Sequence, residues 1–251
     1  MTVSDEAHIV VENLGRSFPS PDGTTLQVLQ DLSFEVPRGG LVSIVGPSGC
    51  GKSTLLNLVA GIDTPTTGAV RTDGAVGFVF QKPRLLDWRT VRQNVELPLE
   101  ELELSKADRR ARVGRYLELV GLDGYQDYFP HQISGGMQQR VAMARALAIH
   151  PSILVMDEPF SGLDAITAER MREELVRIWQ ETNKTVLFVT HDIGEAVFLS
   201  QRVFIITAKP ARIHASVSVD LPYPRRLEDE CVFEKDKELR RLFFAMGDPM
   251  R

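Results

Sequence analysis

The segment Gly46-Pro-Ser-Gly-Cys-Gly-Lys-Ser53 constrains this chain more than any other stretch of it. It fits the pattern G-x-x-x-x-G-K-[ST], directly after the apolar run Leu41–Val45 and before a helix expected to open at Lys52. A glycine-rich turn in that position lets successive backbone N–H groups converge on a phosphate, and the helix start adds its positive dipole end. Lys52 then reaches the β- and γ-phosphates of a nucleotide, and the Ser53 hydroxyl holds Mg²⁺. Gly46, Pro47, Ser48, Gly49, Cys50, Gly51, Lys52, Ser53 and the following Thr54 are therefore read as a nucleoside triphosphate site. A ligand-free strand-to-helix turn does not account for the lysine and the serine. Cys50 is a small residue that fits the loop, in surroundings that also lower a thiol pKa and open it to alkylation.

The rest of the chain predicts a frame around that loop. Ile9–Leu14, Leu41–Val45, Val76–Phe80, Ile153–Met156, Thr185–Val189 and Val203–Thr207 are rich in Val, Ile, Leu and Phe and end at turn residues, so they read as strands. Four of them are apolar almost throughout, as in a sheet covered on both faces, which predicts a parallel α/β core. Between Arg92 and His150 the pattern turns helical, over Lys106–Val120 and Gly136–Ala148, and predicts a helical insert. After Pro210, the prolines Pro222 and Pro224 and clusters of charge predict a tail over the surface or partly loose, not a further core unit.

Composition removes several classes of function. The apolar runs are about five residues long against the roughly 20 of a spanning helix, and the acidic start Met1–Asn13 lacks the apolar region of a signal peptide. With 29 basic and 34 acidic residues the net charge of -5 gives no general attraction to nucleic acid. Cys50 and Cys231 lie far apart and suggest neither a disulfide framework nor a zinc site, so a reducing cytosol is expected.

Ile153-Leu-Val-Met-Asp-Glu158 delivers two adjacent carboxylates at the end of a buried strand, where open α/β sheets place their sites. Alternation along a strand points them in opposite directions, so they receive different tasks. Asp157 suits the outer-sphere hold on Mg²⁺, and Glu158 suits alignment or deprotonation of an attacking water. Such a pair alone more often serves as a helix cap or solvated turn; the phosphate loop upstream favours the catalytic reading.

Ile133-Ser-Gly-Gly-Met-Gln-Gln-Arg140 is close to the sequence LSGGQ followed by Q-x-R, and with it the chain resembles the ATP-binding subunits of ABC transporters. The order of motifs agrees from about residue 8 to residue 207: Phe18 as the adenine-stacking aromatic, the phosphate loop, Gln81 as the Q-loop glutamine, the signature, the acidic strand end, Ser161-Gly-Leu-Asp164 as the D-loop, and His191 as the switch histidine. The resemblance implies a P-loop NTPase (RecA-like) α/β core over 1–91 and 151–210, with a small antiparallel β subdomain. It also implies an inserted α-helical subdomain over 92–150 and a tail over 211–251, all within one ATP-binding domain. ATP and Mg²⁺ are the implied cofactors, with Glu158 and His191 catalytic and Ser53, Gln81 and Asp157 around the metal. Ser134, Gly135, Gly136 and Asp164 would meet the nucleotide of a second copy, so a homodimer in the ATP-bound state is implied. Its implied partners are integral membrane permease subunits and, indirectly, a periplasmic or extracellular substrate-binding protein; its implied place is peripheral, on the cytoplasmic face of the inner membrane.

Ile133 and Met137 depart from the leucine and glutamine of the signature, which touches the polar contact at Met137 but not the backbone anion site. Leu85-Leu-Asp-Trp-Arg-Thr-Val91 and Asp220-Leu-Pro-Tyr-Pro-Arg225 are similar to the nitrate, sulfonate and taurine importer branch, with Asp87 where that branch carries proline. Trp88 reads either as a core anchor for the helical insert or as part of the groove that receives a helix of the membrane subunit. Two rival functions stand beside import: a soluble ABC ATPase not coupled to transport, and a P-loop kinase, which would leave Ser134–Gly136 and His191 without a task.

Overall fold

The computed structural model describes residues 7–21, 23–226 and 228–246; the expectations placed on residues 1–6 and 247–251 lie outside the described residues. The chain forms two compact units, one of residues 1–73 with 185–251 and one of residues 74–184.

The first unit carries an antiparallel sheet of β1 (Ala7–Pro19), β2 (Thr25–Pro37) and β4 (Thr67–Thr72), in the order β2-β1-β4. Val11 faces Phe34 on one side and Val70 on the other, and the register slips where Asn13 and Asp31 take positive φ. This is the small antiparallel subdomain the motifs imply. Beside it, β7 (Thr185–Thr190), β3 (Leu41–Val45) and β8 (Arg202–Ile206) run parallel, and β9 (Ile213–Ser218) pairs antiparallel with β8. Every residue of β3 and β7 is buried, as the unbroken apolar runs predict for strands covered on both faces. The helices of this unit are α1 (Lys52–Val59), α6 (Ile193–Leu199) and α7 (Glu230–Phe244).

The expected loose tail is corrected here. The chain after Pro210 supplies β9 and α7, and Val217, Val219, Val232 and Leu239 join a core cluster with Val45, Ile193, Val197 and Ile205. The charges of α7 occupy its outer face, which masks the stripe formed by Val232, Leu239 and Leu242.

In the second unit β5 (Val76–Val79) pairs parallel with β6 (Ile153–Asp157), with Val76 opposite Ile153. The expected helical stretch appears as α2 (Val91–Glu96), α3 (Lys106–Leu119) and α4 (Gly135–Ala148), followed after β6 by α5 (Ala165–Thr182). Thr90, Ser105, Ser134 and Asp164 cap these helices through their side chains, so each helix starts where a capping residue stands in the sequence. No helix among the described residues is long and apolar enough to cross a membrane.

Candidate functional site

In the first unit the phosphate loop leaves β3 and turns through Gly49 and Gly51, with φ of 75° and 119°. Gly51 is required twice over: its φ suits glycine, and a Cβ there would lie 2.7 Å from Val28 and 2.9 Å from Leu29 of β2. Lys52 is buried, and its ammonium donates to the Gly46 carbonyl at 2.9 Å and the Pro47 carbonyl at 3.0 Å. Ser48, Gly49 and Ser53 are exposed. Cys50 is only 2% exposed, which corrects the expectation that it is open to alkylation: the thiol lies beneath the loop.

The neighbouring strand brings His191, the expected switch histidine, to this loop. Val45 of β3 faces Thr190 of β7, and the Gly46 N–H donates to the Thr190 carbonyl at 3.4 Å, so the exposed His191 emerges beside the first loop glycine. The Thr190 hydroxyl accepts from the Asp192 N–H at 3.0 Å and donates to Glu195 Oε2 at 2.6 Å. Asp192 in turn caps α6, accepting from the N–H groups of Gly194 and Glu195. The backbone on both sides of His191 is thereby tied to the first turn of α6. Phe18 lies near the end of β1, half-buried, opposite Leu26 of the same strand that backs Gly51. The Arg16 guanidinium sits 4.4 Å from its ring centroid and is itself held by Asp63 at 2.8 and 3.0 Å.

In the second unit β6 ends at the buried Asp157, and Glu158 takes a φ of 42°. A non-glycine residue in that region costs on the order of 1 kcal/mol or more and persists where the surroundings impose it. Glu158 therefore lies past the strand, and this kink, rather than strand alternation, separates the two carboxylates. Gln81 donates to Glu158 Oε2 at 3.4 Å and to Ser161 Oγ at 3.3 Å, so the structure brings the Q-loop glutamine to the expected base.

The signature and the D-loop meet at Thr167. A Cβ on Gly136 would lie 2.5 Å from Thr167 Cγ2, and the Thr167 N–H donates to Asp164 Oδ1 at 3.0 Å. Hydrogen bonds from Thr167, side chain first, hold the exposed Asp164 carboxyl below the usual carboxylate range. Ser134 caps α4 by accepting from the Met137 N–H at 3.3 Å. Beside it a cavity of ≈ 260 Å³ is lined by Ser134, Gly136, Met137, Arg140, Thr167 and Arg170.

Sequence reasoning missed the residues that hold these loops. Gln139 of α4, 2% exposed, donates to the Phe80 carbonyl at 3.3 Å, and Arg145 donates to the carbonyls of Pro83 and Arg84 at 2.7 and 2.9 Å. Together they fasten both sides of Gln81 to α4. The available signal was a polar residue on an otherwise apolar buried stripe.

Residues 29–161 match the family described as ABC transporter. An aliphatic sulfonates import ATP-binding protein of Bacillus cereus is 41% identical over 251 residues, covering 97% of this chain and 96% of the relative. A nitrate import ATP-binding protein of Synechococcus elongatus is 45% identical, covering 88% of this chain and 84% of the relative. The chain belongs to the ABC transporter family. Among solved structures, a dimeric ATP-binding cassette in a post-hydrolysis state bound to ADP and Pi has a TM-score of 0.76 and 34% identity, covering 85% of this chain and 100% of that one. This chain is an ABC ATPase with the P-loop NTPase fold.

One further segment of the ABC ATPase is resolved by the structure. Asn94, fully buried, accepts from the Leu86 N–H at 2.7 Å and donates to the carbonyls of Leu86, Arg89 and Thr90 at 3.0 to 3.1 Å. The backbone that carries Trp88 is thus fixed, while Trp88 itself is 75% exposed. The core-anchor reading of Trp88 is set aside by that exposure.

Proposed function

We propose that this ABC ATPase powers the import of a small oxyanion of the sulfonate or nitrate kind, working on the cytoplasmic face of a membrane. The observation that carries the cargo class is the likeness to an aliphatic sulfonates import subunit over 97% of the chain. Relatives named for import favour this reading over a soluble ABC ATPase uncoupled from transport.

In the proposed cycle Phe18 stacks on adenine, and Gly46–Thr54 hold the phosphates as Lys52 exchanges its two carbonyl partners for phosphate oxygens. Ser53, Gln81 and Asp157 are all oxygen donors, and among the described residues no three His, Cys, Asp or Glu side chains gather for a metal. Hard oxygen donors of this kind would suit Mg²⁺ carried on the nucleotide, where the ion would neutralise charge on the phosphates. Glu158 accepts the proton of the attacking water, while His191 contacts the γ-phosphate and Gln81 reports its state to Glu158. Ser134, Gly135, Gly136 and Asp164 serve the nucleotide of a second copy, making an isologous pair. Trp88 and its neighbours dock on the permease subunits, and a substrate-binding protein on the opposite side delivers the anion without touching this chain.

The test is reconstitution with its membrane subunits in liposomes, with labelled sulfonate and labelled nitrate supplied through the cognate binding protein. ATP-dependent uptake of either anion is expected. Uptake of neither, with ATP hydrolysis intact, overturns the cargo class.

A further inference from the structure

The stretch Leu221-Pro-Tyr-Pro-Arg225 takes no part in the chemistry above, yet Arg225 is a charged residue only 4% exposed. Among the described residues, its hydrogen bonds run to backbone carbonyls. One terminal nitrogen donates to Val197 at 2.6 Å and Ser200 at 2.7 Å, the other to Val219 at 3.1 Å and Leu221 at 2.8 Å, and Nε donates to Leu221 at 3.2 Å. The Tyr223 hydroxyl donates to the Leu199 carbonyl at 2.5 Å, and the guanidinium lies 4.2 Å from the Tyr223 ring centroid. Val197, Leu199 and Ser200 form the C-terminal end of α6. Carbonyls at a helix end have no partner within the helix, and that end of the dipole favours a cation. Arginine's planar fork, unlike a lysine ammonium, can bridge carbonyls on several strands of chain at once.

The helix so gripped begins, at its other end, two residues after His191. α6 spans only Ile193–Leu199, and a helix that short does not hold its own position in water, so its place is set by the core it packs on through Ile193, Ala196 and Val197 and by the hydrogen bonds at its two ends. At its start, Asp192 and the Thr190–Glu195 hydrogen bond tie it to His191. Along its side, Asp236 of α7, paired with Arg240, comes within 3.8 Å of where a Gly194 Cβ would stand. Burial pushes the Tyr223 hydroxyl up to about 12, so it remains a donor at working pH.

We infer that Tyr223 and Arg225 are positioning residues for ATP hydrolysis: by clamping the C-terminal end of α6 they set the place from which His191 reaches the γ-phosphate. This rests on the role proposed for His191. The branch-marking motif then has a physical task, and the C-terminal segment becomes part of the hydrolytic machinery.

The test is steady-state ATP hydrolysis by the full chain with Tyr223→Phe, Arg225→Lys, His191→Ala and the double variant Tyr223→Phe with His191→Ala. Melting and binding of a fluorescent ATP analogue are measured alongside. Tyr223→Phe keeps the ring under the guanidinium and removes one donor, so it should fold, bind the analogue normally and lose about fivefold in kcat with KM unchanged. Arg225→Lys should lose about tenfold or more. Because the clamp acts through His191, Tyr223→Phe should cost nothing further in the His191→Ala background. An equal loss in both backgrounds, or a loss that merely tracks the unfolded fraction, overturns the inference. A wild-type rate in His191→Ala is a different failure: it removes the role of His191 and the inference with it.

Discussion

Glu158 occupies a backbone conformation that an unconstrained glutamate avoids, with φ of 42°, and its side chain is met by the Gln81 amide. Strain of this kind is retained where the surrounding structure fixes the residue, and here it turns Glu158 past the end of β6 while Asp157 stays buried in the strand. The two carboxylates are separated in environment as well as direction, which fits one metal-holding and one proton-accepting group. Glu158→Gln keeps volume and one acceptor oxygen but cannot take a proton. Turnover should fall by about 10²-fold or more, the scale of a lost general base, while ATP affinity stays at the wild-type value. Single-turnover hydrolysis together with equilibrium nucleotide binding separates the two quantities, and a wild-type rate in this variant would remove Glu158 from the role.

The elements of the first unit are joined by a polar cluster at the start of β1. His8 is buried, its Nδ1 lies 2.5 Å from the Thr185 hydroxyl at the start of β7, and its Nε2 is 3.1 Å from an Arg38 terminal nitrogen. Arg38 also pairs with Asp73, whose N–H donates to the His8 carbonyl, and the Gly39 N–H donates to Thr185 Oγ1. Arginine can only donate, so Nε2 accepts and the ring is neutral in this arrangement. Burial first, and the Arg38 charge second, lower the His8 pKa from its ordinary 6.5. The unfolded chain therefore binds the extra proton more readily, and stability should be lost as pH falls through about 6.5. Asp73 is also held below its ordinary range, chiefly by its hydrogen bond to Arg38, but it titrates below this window. Melting at about pH 7.5 and about pH 5.5 should show a larger drop in wild type than in His8→Gln; equal drops would exclude His8 as the source. The same elements show what a sequence displays and what it hides. β3, β6 and β7 are legible because a strand covered on both faces reads as an unbroken apolar run. β2 and β9 escape because half their residues face outward, and β2 also carries the irregular Asp31. The phosphate loop, the acidic strand end and the signature stand out in the sequence because their candidate residues are consecutive. Asn94, Gln139 and Arg225 act on backbone carbonyls remote in sequence or without fixed spacing, so no local pattern marks them.

For the molecule as a working subunit, the signature helix and the D-loop cap come together at Thr167 and present Ser134, Gly135 and Asp164 on an exposed surface. If that surface meets the γ-phosphate of a second copy, ATP that is bound but not hydrolysed should hold two copies together. Light scattering of Glu158→Gln should then show a dimer with ATP and a monomer without it, and one mass under both conditions would exclude the two-copy arrangement. The surface proposed for coupling to a permease is the one around Trp88, whose backbone is fixed by Asn94 and whose ring is exposed to 75%. A large aromatic presented on a rigid loop binds at low entropic cost, and such anchors often contribute about 2 kcal/mol or more at an interface. Trp88→Ala removes that anchor without touching the phosphate loop, Asp157, Glu158 or the hydrogen bonds of Asn94. Melting and isolated ATPase activity should therefore stay close to wild type, because little buried area is lost inside the subunit. Assembly with the membrane subunits should weaken by roughly 30-fold, the equivalent of about 2 kcal/mol, and cargo-coupled uptake should fall with it. A destabilised and inactive isolated subunit would refute the docking role, and so would a stable subunit that assembles with wild-type affinity.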